Sequence, residues 1–195
     1  LVARWGKKEG IIADTVYSVA VWGIIGGIIG ARFIHVIDLW NDFYRYDIGL
    51  AFAFWQPGVA IYGAVIGGFL GGATYLWVSH YRGRLKDVSV GRLSDITAPA
   101  ILVAQAIGRV GDIINGEHIA KTTNLAWGFI YTHAGSPSNR QWAAVASHPA
   151  VAYEMIWDLT VLAIIWKLRG RLAPSGMLFA LYAMLYAFGR FFIQF

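Results

Sequence analysis

Three arginines, Arg32, Arg109 and Arg190, interrupt apolar runs in this sequence, and each has neighbours able to balance charge or handle a proton. His35 follows Arg32 by about one helical turn, Glu117 and His118 follow Arg109, and Glu154 stands in the apolar run before the one that holds Arg190. An ionised side chain at the centre of a membrane helix costs about 2.5–3.5 kcal/mol on insertion scales, so its presence raises a functional question. The planar fork of a guanidinium matches a pair of phosphate oxygens better than the point charge of lysine does. Carboxylates beside such arginines prevent an unbalanced positive field, and they can orient a hydroxyl or accept a proton. The natural ligand for this set is the phosphate of an anionic phospholipid headgroup. The chain has no cysteine, which removes thiolate metal sites and an enzyme thiol nucleophile. Neither His-Glu-x-x-His nor Gly-x-Ser-x-Gly occurs, and no metal or cofactor is implied.

The elements that must position these groups are membrane helices. Of the 195 residues, 57% are hydrophobic and 14% charged, with a mean hydropathy of +0.54. That leaves too few charges to cover a water-soluble body, and it excludes both a soluble enzyme and a disordered chain. About 20 residues cross a hydrocarbon core, and five stretches meet that length: Thr15 to Ile37, a crossing within Ile48 to Ser79, Leu93 to Gly111, Pro149 to Trp166, and Leu172 to Phe195. Pro57 is expected to separate an interfacial piece from the second crossing. The reading is an all-α polytopic helical bundle, one transmembrane domain over residues 1–195. The chain begins with Leu1 and ends inside a span, so it is expected to be an interior segment of a longer protein.

Basic residues orient the spans, because loops that stay in the cytoplasm hold the excess of lysine and arginine. Arg4, Lys7, Lys8, Arg82, Arg84, Lys86, Arg92, Lys167, Arg169 and Arg171 fall on one side, against Arg45, Lys121 and Arg140 on the other. This places Leu1 in the cytoplasm and the segment 112–148 outside. It also accounts for the net charge of +5 by topology, leaving no support for nucleic-acid binding. Gly23, Gly26, Gly27 and Gly30, then Gly63, Gly67, Gly68, Gly71 and Gly72, have the small-xxx-small spacing that lets two membrane helices approach closely.

With this orientation Arg32, Tyr62 and Arg109 lie near the outer ends of their spans. His148 and Glu154 open the fourth span from outside, and Arg190 rises to a comparable level. A polar cluster facing the outer leaflet is expected. Asp158, one turn after Glu154, should share its face. Asp95 is expected to cap or complement the dipole of its own helix, and His80 and His133 are expected to be solvated.

Gly108-Arg109-Val110-Gly111-Asp112-Ile113-Ile114-Asn115-Gly116-Glu117 closely resembles the signature of the bacterial prolipoprotein diacylglyceryl transferase family. The order of its neighbours agrees: Gly30-Ala31-Arg32, Trp55-Gln56 before the glycine-rich Tyr62 to Gly72, Ser94 to Pro99, His148-Pro149 with Tyr153-Glu154, and Gly189-Arg190-Phe191. The resemblance covers nearly the whole chain, and it implies that the family's first and last spans are expected outside this segment.

The resemblance implies a multi-pass enzyme of the bacterial cytoplasmic (inner) membrane with its site facing the outer leaflet. Its reaction would pass the diacylglyceryl group of phosphatidylglycerol to the lipobox cysteine of a preprolipoprotein, making a thioether and releasing glycerol 1-phosphate. The nucleophile is then the substrate's thiol, in keeping with a chain that has none. Arg109 and Arg190, with Arg32, match phosphate-holding positions, and Glu117 is the signature glutamate. Gly108, Gly111, Asp112, Asn115, Gly116, His148 and Tyr153 support the signature. Tyr62 stands where the family usually has the histidine proposed as base, and a phenol, with a reference pKa of about 10 against about 6.5 for imidazole, is a weak base near neutrality. His35 and Glu154 are the other candidates for that role. Asp112 replaces an asparagine, Ala120 a glycine and Gln194 a glutamate. A phospholipid-binding relative that has lost catalysis is the alternative.

Overall fold

Glycine sets the first half of the fold. Helix α2 (Ala13–Asp38) and helix α3 (Ile61–Tyr81) lie so close that a Cβ at Gly26 would overlap the Gly67 carbonyl, and one at Gly30 would overlap that of Gly63. The relation is reciprocal: a Cβ at Gly67 would strike Gly26 and one at Gly63 would strike Gly30. The expected small-residue seam is therefore the α2–α3 interface, where backbone meets backbone and van der Waals contact replaces the hydrophobic effect. The other faces of the pair expose Trp22, Ile25, Ile28, Ile29 and Phe33 on α2, and Val65, Ile66, Phe69 and Leu70 on α3. Before the pair, the short α1 (Val2–Lys8) folds back, burying Trp5 and Ile11, with Ile11 N–H donating to the Gly6 carbonyl at 2.7 Å.

The computed structural model describes residues 1–53, 55, 56, 58–85 and 88–194, the last without its side chain. Pro57 and Lys86 lie outside the described residues, as does the side chain of Gln194. Between α2 and α3 the chain makes a π-helical turn, Trp40–Tyr44, and a 3-10 turn, Ile48–Phe52, which Asp47 caps by accepting from Gly49 N–H at 3.0 Å. The helix of the second crossing starts only at Ile61, separate from the 3-10 turn before it.

The chain divides into two compact units, residues 1–90 and 91–195. The second contains α4 (Val90–Asn115), the short α5 (Pro137–Trp142), α6 (Ala150–Leu168) and α7 (Met177–Gln194). Its core joins Ala98 and Leu102 of α4, Val161 and Ile165 of α6, and Leu178 and Tyr182 of α7. Tyr182 keeps its hydroxyl satisfied there by donating to Gln105 Oε1 at 3.3 Å. The long connection between α4 and α6 is held by α5 and two isolated bridges to Ser147, from Thr122 and Phe129.

All five expected crossings are helices. Three of them, α2, α3 and α4, are long and apolar enough to span a membrane; α7 contributes a shorter apolar stretch, Met177–Ile193. The 19 residues of α6 carry Glu154, Asp158 and Lys167. The protein is an all-α, multi-pass membrane helical bundle.

One expectation is corrected. Helix α4 already begins at Val90, so Asp95 lies in its second turn and does not cap it. Its carboxylate instead accepts from Gly176 N–H at 2.7 Å and Phe179 N–H at 2.9 Å, capping the start of α7. The first N–H groups of any helix lack partners within it, and a carboxylate there also meets the positive end of the dipole.

Candidate active site

In the second unit, two arginines converge on one buried carboxylate. Glu154, on the second turn of α6, is only 4% exposed. Its Oε2 lies 2.8 Å from Arg109 Nη2, and its Oε1 pairs with Arg190 Nη1. Arg109 Nη1 also donates to Asp112 Oδ2 at 2.9 Å, one turn further along α4. Asp158, one turn after Glu154, is 2% exposed. The helices thus bring together Arg109, Asp112, Glu154, Asp158 and Arg190 around a site whose partners are fixed by three different elements.

Two packing details hold this set. Trp157, one residue before Asp158, donates its indole N–H to the Leu185 carbonyl of α7 at 2.9 Å. Its ring fills the space beside Gly189, where any Cβ would overlap it, so the residue before Arg190 is required to be small. The two glycines flanking Arg109 behave differently. A Cβ at Gly108 or Gly111 would meet no atom of the described residues within 4 Å, so the α4 surface beside Arg109 is left open.

Next to Glu154 lies a cavity of about 910 Å³, lined among others by His118, Lys121, His148, Tyr153 and Phe192. Tyr153 accepts at its hydroxyl from the Trp127 indole at 2.8 Å, which ties the long connection to α6 beside the cavity. The His148 and Tyr153 rings are neighbours, with centroids 6.5 Å apart.

The end of the signature is built as a turn. Gly116 has φ +63°, and a Cβ there would overlap Ser136 Oγ, so glycine is demanded both by backbone and by space. Ser136 and Ser138 donate to the Gly116 carbonyl at 3.2 and 2.8 Å, and Ser138 also reaches the His118 carbonyl at 2.9 Å. Glu117 is exposed, accepts from Asn115 Nδ2 at 3.1 Å, and lines a separate recess of about 690 Å³ with Tyr131, Thr132 and His133. Burial raises the pKa of the Tyr131 phenol.

The remaining sequence candidates belong to the first unit. Arg32 is 4% exposed and spends its donors on backbone: Nη2 to Leu50 O at 2.6 Å, Nη1 to Gly58 O at 3.1 Å and Nε to Ala51 O at 3.3 Å. It also lies over the Tyr44 ring, 5.6 Å from its centre. His35 packs edge-on to Tyr44 and fills the space under Gly58, whose φ is +125°. Tyr62, on the first turn of α3, is 77% exposed.

A family model described as prolipoprotein diacylglyceryl transferase matches residues 1–195. The chain belongs to this family. Among curated relatives named phosphatidylglycerol-prolipoprotein diacylglyceryl transferase, that of Limosilactobacillus reuteri is 36% identical over 203 residues, covering 100% of this chain and 69% of the relative. The Clostridioides difficile protein is 33% identical over 194 residues, covering 100% and 71%, and the Acaryochloris marina protein is 34% identical over 183, covering 93% and 64%. This diacylglyceryl transferase family member therefore spans about two thirds of the length of those relatives.

Sequence reasoning found Arg109, Glu154 and Arg190 and missed what holds them. Nothing in residue type marks Trp157 as the spacer across Gly189 or Ser138 as the clasp of the signature turn, because both act through long-range contacts.

Proposed function

We propose that this chain transfers the diacylglyceryl group of phosphatidylglycerol to the thiol of a preprolipoprotein lipobox cysteine, forming a thioether and releasing glycerol 1-phosphate. The observation that carries the reading is the pair Arg109 and Arg190 sharing buried Glu154 at the ends of apolar helices. Each guanidinium carries five N–H donors, more than Glu154 and Asp112 take up, and the oxygens of a phosphodiester accept from the rest. Their donors then face the oxygens on which charge grows as the carbon–oxygen bond to the departing phosphate breaks, where preorganised donors contribute most to rate. Glu154 and Asp112 keep the guanidiniums in place before the lipid arrives.

The open α4 surface at Gly108 and Gly111 is the room the lipid uses beside Arg109. Glu117 and Asn115 meet the polar backbone of the incoming peptide at their recess. Arg32, with its donors committed to Leu50, Ala51 and Gly58, holds the segment before α3 in shape, and His35 supports the same segment. Tyr62 offers a hydroxyl to substrate. The chain resides in the bacterial cytoplasmic membrane with its site towards the outer leaflet, the reading that the distribution of basic residues supports. The noncatalytic alternative is not favoured, since the named relatives are transferases.

The test uses the protein in nanodiscs containing phosphatidylglycerol, with a lipobox peptide, and reads the peptide mass. A gain of one diacylglyceryl group is expected, lost when phosphatidylethanolamine replaces phosphatidylglycerol or when Arg109→Ala is used. Bound phosphatidylglycerol with no change in peptide mass would reject catalysis.

A further inference from the structure

We infer that His118, backed by Asp112, is the base that takes the proton of the substrate thiol, a proposal that rests on the transferase reading above. Asp112 Oδ2 stands between Arg109 and His118: it accepts from Arg109 Nη1 at 2.9 Å and lies 3.9 Å from His118 Nδ1. That imidazole nitrogen is buried and makes no hydrogen bond in the structure, while the ring as a whole is 37% exposed and lines the cavity of about 910 Å³. The ring therefore turns Nδ1 inward to the carboxylate and leaves Nε2 for the cavity. A carboxylate on the Nδ1 side favours the tautomer with its proton there, and so the lone pair on Nε2.

The other candidates are less free to act. Both oxygens of Glu154 are paired with arginines, which leaves neither free to meet a thiol. His35 is packed under Gly58, and the phenol of Tyr62 is a weak base. The charged and titratable groups around His118 are Asp112 from α4, which Arg109 pairs with in turn, Glu154 and Tyr153 from α6, and Lys121 and His148 from the connection. Asp112 is itself a departure from the signature asparagine, and a charged partner for a histidine six residues on is what that departure supplies.

The step balances without further reactants. Nε2 takes the S–H proton, and the sulfur forms a C–S bond to the glycerol carbon that bears the phosphate. That carbon's C–O bond breaks with its electron pair passing to the phosphate oxygen, which Arg109 and Arg190 stabilise. The imidazolium then returns its proton to the departing glycerol phosphate.

The experiment compares wild type, His118→Ala, His118→Gln and His148→Gln in nanodiscs containing phosphatidylglycerol, with lipobox peptide at pH 7 and pH 9.5. A positioned base contributes on the order of 10²-fold or more. At pH 7 both His118 variants should lose about that factor in kcat while KM for phosphatidylglycerol stays within about twofold. Added imidazole should restore part of the loss in His118→Ala. At pH 9.5, above the ordinary thiol pKa of about 8.5, solvent supplies the thiolate and the deficit should shrink to below about tenfold. Wild-type rates in the His118 variants, an equal deficit at both pH values, or a comparable loss confined to His148→Gln would overturn the assignment. An inactive wild type would instead reject the transferase reading itself.

Discussion

The indole of Trp157 occupies the space that a side chain at Gly189 would need, and this contact sets how closely α6 and α7 approach at the level of the Glu154–Arg190 pair. The same indole is pinned by its bond to the Leu185 carbonyl, so it does not move aside without breaking a hydrogen bond. Arg190 and helix packing are thereby linked through neighbouring residues on each helix.

Gly189→Ala should expose that link. Adding one methyl forces the indole or α7 to shift, and overpacking of this kind costs about 1–3 kcal/mol. Thermal unfolding in detergent should show a lower midpoint, and diacylglyceryl transfer should fall more steeply than stability because Arg190 moves with its neighbour. In the Gly189→Ala background, Trp157→Phe should recover part of the lost midpoint, since a smaller ring without an N–H removes both the overlap and the bond. Additive losses in the double variant would show that the two residues do not share one space.

Asp95 gives a prediction of the opposite kind, with stability affected and chemistry spared. Its two oxygens satisfy Gly176 and Phe179 N–H groups at the start of α7. Removing a capping side chain costs about 0.5–2 kcal/mol. Asp95→Ala should lower the unfolding midpoint accordingly, with Asp95→Asn intermediate, because one of two acceptor oxygens remains. KM for phosphatidylglycerol should be unchanged in both, and a selective rise in KM would place Asp95 in substrate binding.

The α2–α3 seam allows a graded test within one glycine run. A Cβ at Gly67 would overlap Gly26, whereas one at Gly68 would lie 3.3 Å from the Gly23 carbonyl, a contact relieved by a few tenths of an ångström. Gly67→Ala should therefore lower the unfolding midpoint strongly. Gly68→Ala should be close to neutral, the closer contact being offset by up to about 1 kcal/mol from alanine's better helix propensity. Equal effects at the two positions would mean that the seam is not packed in this register.

What could be read from the sequence followed from periodicity and charge. The five apolar stretches became helices within a few residues of their expected limits, because run length and hydropathy act locally. Arg109, Glu154 and Arg190 stood out because charge in an apolar run is rare, and they do meet. Asp95 was misassigned for a physical reason: a carboxylate near a helix start reads as its own cap, and only the tertiary fold reveals that it serves α7. Arg32 looked equivalent to Arg109 in type and context, yet its donors go to three loop carbonyls. Sequence could not distinguish an arginine paired with carboxylates from one facing backbone.

Gly108 separates a packing role from a substrate role. A helix-interior glycine with no neighbour within 4 Å among the described residues has no packing reason to be glycine, and alanine there should stabilise the helix by up to about 1 kcal/mol. If the lipid lies along the open surface beside Arg109, the added methyl intrudes on it. Gly108→Ala is then expected to keep or raise the unfolding midpoint while KM for phosphatidylglycerol rises several-fold, and Gly108→Leu should do so more strongly. Unchanged kinetics with the larger side chain would put the lipid elsewhere, and a collapse of the midpoint with alanine would show that the surface is filled by protein instead.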